Sequence, residues 1–134
     1  MFNFIDYLLQ EMYIGLVLNN QNREALNQRF PPKYSDFIGH HITLEFGVHK
    51  NAELPPQPKN VQVIGYADDG DSIEALVVSI DGVSERPDGG TYHITWSLDR
   101  SKGRKPVDSN KLLTKGYQRL DNPINVKTEI KLLG

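Results

Sequence analysis

Six runs of seven to nine residues read as β-strands, and no stretch reads as a long helix. That pattern limits the chain to a strand-dominated fold. Residues 12–18 (MYIGLVL) are apolar and β-branched. Residues 41–48 (HITLEFGV) alternate, which predicts Ile42, Leu44 and Phe46 on one face and His41, Thr43 and Glu45 on the other. Residues 61–68 and 73–80 flank Asp68-Asp69-Gly70-Asp71, a turn signal, and should pair as an antiparallel hairpin. Residues 91–98 form the fifth run. The last, 124–132, alternates through Ile124, Val126, Thr128, Ile130 and Leu132.

Helical signals are few and short. Phe4, Ile5, Leu8 and Leu9 recur at helical spacing over 2–11. Asn19, Asn20 and Asn22 offer a cap for a helix over 23–30, which Pro31-Pro32 ends. Ser109 could cap a helical turn over 110–114, or line a cleft instead. The stretches 33–39, 51–60, 81–90 and 99–106 read as loops. Strands outnumber helices without βαβ alternation, so the expected class is α+β with antiparallel sheets. The two similar strands at 41 and 91 hint at an internal repeat, although their surroundings do not align.

The chain has 134 residues, and 1–134 is expected to form one domain. Its 38% apolar and 24% charged residues are ordinary for a globular protein. There are no cysteines, which excludes disulfides, zinc-thiolate sites and thiol nucleophiles. The net charge of -2 excludes a surface that binds nucleic acid all over, so a phosphate ligand must be met by a local basic patch. No apolar run is long enough to cross a bilayer, and the first residues lack a signal peptide's basic region. A cytoplasmic location is therefore expected, with no membrane partner and no obligate protein partner.

Two of the four histidines sit in the same setting, His41-Ile42-Thr43 and His93-Ile94-Thr95. Residues two apart on a strand share a face, so each strand presents an imidazole beside a hydroxyl. One such motif is ordinary in a half-buried strand. Two by chance is on the order of one in a thousand or less, given average residue usage. If the strands meet, the four groups suit a phosphodiester. One histidine takes a proton from water and the other protonates the leaving oxygen. The threonine hydroxyls donate to the non-bridging oxygens. This chemistry needs no metal and no cofactor.

The motifs, extended to His41-Ile42-Thr43-Leu44 and His93-Ile94-Thr95-Trp96, resemble the paired H-x-(T/S)-apolar signatures of the 2H phosphoesterase superfamily. The resemblance covers most of the chain from Tyr13 onward. Lys105-Pro106-Val107-Asp108-Ser109-Asn110 also resembles the segment that follows the second signature in tRNA-ligase-type cyclic phosphodiesterase domains. The resemblance implies a two-lobed α+β fold, with sheets flanking a central cleft and one motif from each lobe. Similar members include bacterial RNA 2′,3′-cyclic phosphodiesterases and small phage enzymes that cleave cyclic oligonucleotides to defeat CBASS immunity. It implies that His41 and His93 are the acid/base pair, with His93 favoured as base and His41 as acid. It implies Thr43 and Thr95 as phosphate-binding hydroxyls. The implied partner is an RNA 2′,3′-cyclic phosphate end or a cyclic oligonucleotide, met in the host cytoplasm if the protein is phage-encoded. The rival reading is a non-catalytic module that holds a nucleotide or an RNA end.

Several supporting residues have two readings. Tyr13 either stacks on a base or packs in the core. Arg100, Lys102, Arg104 and Lys105 form the one dense basic run, either a second phosphate site or a solvated loop. Glu45 and Ser97 continue the motif faces by one step. Trp96 is expected in the core, and His40 is expected to point away from His41.

Overall fold

The computed structural model describes residues 12–134. The helix expected over 2–11 lies outside them. In order come β1 (Met12–Leu18), α1 (Asn20–Arg29), β2 (Asp36–Phe37), β3 (His41–Val48), β4 (Val61–Asp68) and β5 (Ile73–Ile80). Then follow β6 (His93–Leu98), a 3₁₀ turn (Arg100–Lys102), α2 (Asp108–Leu113), β7 (Gln118–Asn125) and β8 (Thr128–Leu133). One sheet has three strands in the order β3-β1-β8, and the other has five in the order β2-β6-β5-β4-β7. Neighbouring strands pair antiparallel throughout. With two α-helices among the described residues, the class is α+β. None of these helices is long and apolar enough to cross a membrane.

The two sheets share one core. Leu16, Leu18 and Ile42 enter it from the small sheet, and Val63, Leu76, Ile94 and Trp96 from the large one. Trp96 is fully buried, as expected, and its Nε1–H donates to the Phe30 carbonyl at 2.7 Å. The far face of the large sheet packs Ala75, Val77 and Leu98 against Leu112 and Leu113 of α2. Ile42 and Ile94 therefore point into the same core. Their immediate neighbours, His41 and Thr43 on β3 and His93 and Thr95 on β6, emerge on the opposite side of both strands.

Local chemistry explains where the elements start. The Asn19 side chain accepts from the backbone N–H groups of Gln21 and Asn22, so α1 begins three residues earlier than expected. Arg23 of α1 donates to the carbonyls of Gly39 (2.7 Å) and Ile38 (3.1 Å), pinning the chain just before β3. That segment contains β2, which was expected as loop. Its pairing with β6 continues through Ile38 N–H to Trp96 O and Gly39 N–H to Thr95 O. At Gly39 φ is +45°, and a Cβ would lie 2.5 Å from the Phe37 ring, so only glycine fits this turn. The chain leaves β6 there and reaches His41 two residues later.

The C-terminal run needs correction. The strand expected over 124–132 is two strands, and the chain crosses from the large sheet to the small one at Val126 and Lys127. The alternation continues through the crossing because Ile124, Val126 and Ile130 all face the shared core. The strand β7 is polar and mostly exposed, holds Pro123, and forms the sheet's edge. An edge position tolerates proline and needs little apolar patterning. The second helix also begins before the expected turn. Ser109 lies inside it rather than capping it.

Candidate active site

The strands β3 and β6 lie side by side and open onto one cavity of about 230 Å³. His41 and Thr43 line it from β3, and His93 and Thr95 from β6. Tyr13 and Phe46 add an aromatic wall. Ile38, Pro106, Val107 and Asn110 complete the lining. The four motif side chains thus meet across one space, on strands held by separate sheets.

Both motif strands carry a β-bulge at the same place. In β3, Thr43 pairs with Gly15 and Glu45 with Ile14, so Leu44 has no partner. In β6, Thr95 pairs with Ala75 and Ser97 with Glu74, so Trp96 has none. Each bulge reverses the alternation after the threonine. Phe46 therefore turns out of the expected core face, 51% exposed and against the cavity. Glu45 and Ser97 do not continue the motif faces. Ser97 points to the opposite side, where its hydroxyl donates to the buried Glu74 carboxylate, which also accepts from Tyr66 and from the Lys33 N–H.

The second motif is braced. His93 Nδ1 lies 2.7 Å from the Thr91 carbonyl, which only accepts, so Nδ1 carries the proton and Nε2 is left with a free lone pair. Thr95 Oγ1 contacts the Pro106 carbonyl (3.2 Å) and Ser109 Oγ (2.8 Å). A hydroxyl has one proton, so Thr95 donates to Pro106 while accepting from Ser109. To donate to a phosphate it need only release Pro106. Ser109 is fully buried and acts on the cavity through Thr95.

The first motif is more open. Thr43 lines the cavity without a brace like the one Pro106 and Ser109 give Thr95. His41 packs 5.2 Å from the Tyr13 ring, centroid to centroid, and its Nδ1 lies 3.0 Å from Nδ1 of His40. His40 was expected to point away. It precedes the strand, so strand alternation does not govern it.

Burial favours the neutral form of both histidines. It lowers His41 to about 4, and a proton on His40 or on His93 would repel one on His41 and lower it further. Burial also lowers His93. The Thr91 carbonyl opposes that shift, and the Arg86 charge adds to it.

The basic run is not in the lining. Lys102 pairs with Asp71 at 2.8 Å, and Arg104 bonds Ser72 and Asp69. The Arg100 N–H donates to Asp36. Lys105 lies beside Pro106, but it is exposed; its backbone N–H donates to the Asp108 carboxylate and its carbonyl accepts from the Asp108 N–H. Lys102 and Arg104 thus fasten the loop to the acidic β4–β5 turn, away from the cavity that the four motif side chains share. Sequence reading missed Phe46, hidden by the bulge, and Arg86. Asn110 was within reach, since it ends the Pro106–Asn110 stretch already noticed. Compared with family models, curated proteins and solved structures, the chain matches none of them. The case for function therefore rests on the site itself.

Proposed function

We propose that this protein is a metal-independent phosphodiesterase of the 2H type, acting on RNA-like substrates. The observation that carries the proposal is the meeting of His41, Thr43, His93 and Thr95 in one cavity, each pair on its own sheet. Two sheets with a cavity between their motif strands fit a two-lobed 2H fold.

The chemistry follows from the proton positions. His93 Nε2 has the free lone pair, so it takes a proton from the attacking water. The water oxygen bonds to phosphorus, and the bond to the leaving ribose oxygen breaks. His41 gives that oxygen its proton. An anionic phosphate entering the cavity raises the proton affinity of His41 and supplies the imidazolium that the free site lacks. Thr43 and Thr95 donate to the non-bridging oxygens as charge builds there. Tyr13 and Phe46 offer rings on which a base can stack. The substrate is a terminal 2′,3′-cyclic phosphate or a 3′–5′ linkage in a small cyclic oligonucleotide.

The test is incubation with 2′,3′-cyclic nucleotides and with cyclic di- and trinucleotides in EDTA. Turnover of at least one class is expected. Tight binding without turnover would make the protein a nucleotide-binding module. Activity abolished by the chelator would refute the metal-free mechanism.

A further inference from the structure

Arg86 has no part in the acid/base scheme, yet it packs behind two residues of the cavity wall. It is only 6% exposed. Its Nε donates to Asp88 at 2.8 Å and its Nη2 to Asn110 at 3.1 Å. The guanidinium carbon lies 5.2 Å from the centre of the Phe46 ring. Phe46 and Asn110 both belong to the cavity wall. The remaining nitrogen, Nη1, is buried with no hydrogen-bond partner among the described residues. A buried charged donor left unpaired is costly, and native proteins rarely keep one without a use.

The surrounding loop is shaped around this side chain. The Arg86 N–H bonds the Gly90 carbonyl, and the Gly89 N–H bonds the Arg86 carbonyl. Asp88 accepts from both Arg86 Nε and the Gly90 N–H. A Cβ at Gly90 would lie 2.5 Å from Arg86 Nη2, so the glycine makes room for the guanidinium.

The cavity needs such a charge. Its lining contains no lysine or arginine, and burial favours the neutral form of its two histidines. A phosphodiester is an anion, and hydroxyl dipoles alone replace its hydration poorly. We propose that Arg86 anchors the substrate's phosphate, its free Nη1 donating to a phosphate oxygen when the Phe46 ring moves aside. The proposal rests on the phosphodiesterase reading and deepens it. Arg86 then contributes binding shared by ground state and transition state, so its loss appears chiefly in KM.

The experiment titrates the wild-type protein with inorganic phosphate and follows the side-chain ¹H–¹⁵N signals of Arg86 and both histidines. The Arg86 signal is identified by its absence in Arg86→Lys. Arg86 and His93 signals should move together. In parallel, Arg86→Met should bind phosphate at least about tenfold more weakly and raise KM by a similar factor. Arg86→Lys, which keeps the charge, should recover part of the loss. If the histidine signals move while Arg86 stays still, or if Arg86→Met binds within twofold of wild type, the anchor is refuted and the phosphodiesterase reading stands. If neither responds at millimolar phosphate, the anchor is refuted, and the turnover assay alone judges the reading. The wild-type titration decides even if Arg86→Met fails to fold.

Discussion

The two motif strands carry the same three residues and the same bulge, yet their surroundings differ. The strand β6 lies inside its sheet, between β2 and β5, whereas β3 is the edge of the small sheet. The His93 imidazole is fixed by the Thr91 carbonyl, and Thr95 is held between Pro106 and Ser109. His41 contacts the exposed His40 and the Tyr13 ring, and Thr43 lines the cavity. In the proposed mechanism, one half of the site is set before substrate arrives, and the other is completed on binding. A general base must be aimed at one water, which suits the braced half. A group that must collect its proton after the anion enters suits the open half.

The largest expected effect is on turnover. His93→Ala and His41→Ala should each lose at least about a hundredfold in kcat on a 2′,3′-cyclic nucleotide. A variant keeping near-normal turnover would remove that histidine from the pair. The threonines should separate the two halves next. Thr43→Ala and Thr95→Ala should both lower kcat by roughly a hundredfold, the cost of a lost oxyanion donor. Only Thr95→Ala should also destabilise the fold, by about 1–3 kcal/mol, because it strands the buried Ser109 hydroxyl. Equal melting temperatures for the two variants would contradict the asymmetry.

Acid should expose the first motif. His41 is lowered to about 4 in the folded protein and lies near 6.5 when unfolded. Between those values the unfolded chain binds more protons, so stability rises with pH across that window and falls as acid is added. Denaturant midpoints measured from pH 4 to 7 should show this slope, and His41→Ala should flatten it. The smallest effect concerns His40, whose charge is one cause of the His41 shift. In His40→Ala the His41 titration, followed by NMR, should move to higher pH. No movement would show that the 3.0 Å contact does not couple the two rings.

Much of this molecule was legible in its sequence, and the failures share a physical cause. The bounds of β1, β3, β4 and β5 follow from apolar runs and turn residues, as does the Asn19 cap. The convergence of the four motif groups follows from Ile42 and Ile94 seeking one core. Phe46 and Ser97 were misplaced because one unpaired residue in each strand reverses a period of two, and no side chain announces it. The edge strand β7 went unseen because exposed edges need no apolar alternation. The charged loop is opaque for a related reason. Composition shows that Arg100, Lys102 and Arg104 are clustered, but not that Asp71 and Asp69 pair with Lys102 and Arg104. Arg86 gave no signal, since its burial depends on Phe46 and Asn110, far away in the chain.

The central claim is that the two motifs act as one acid/base pair on one phosphorus. The most direct test is a double-mutant cycle on kcat with His41→Ala, His93→Ala and the combined variant. Groups that serve the same step lose their value together, so the double variant should be little slower than the worse single one. Losses that multiply would contradict the pairing and leave two histidines acting independently.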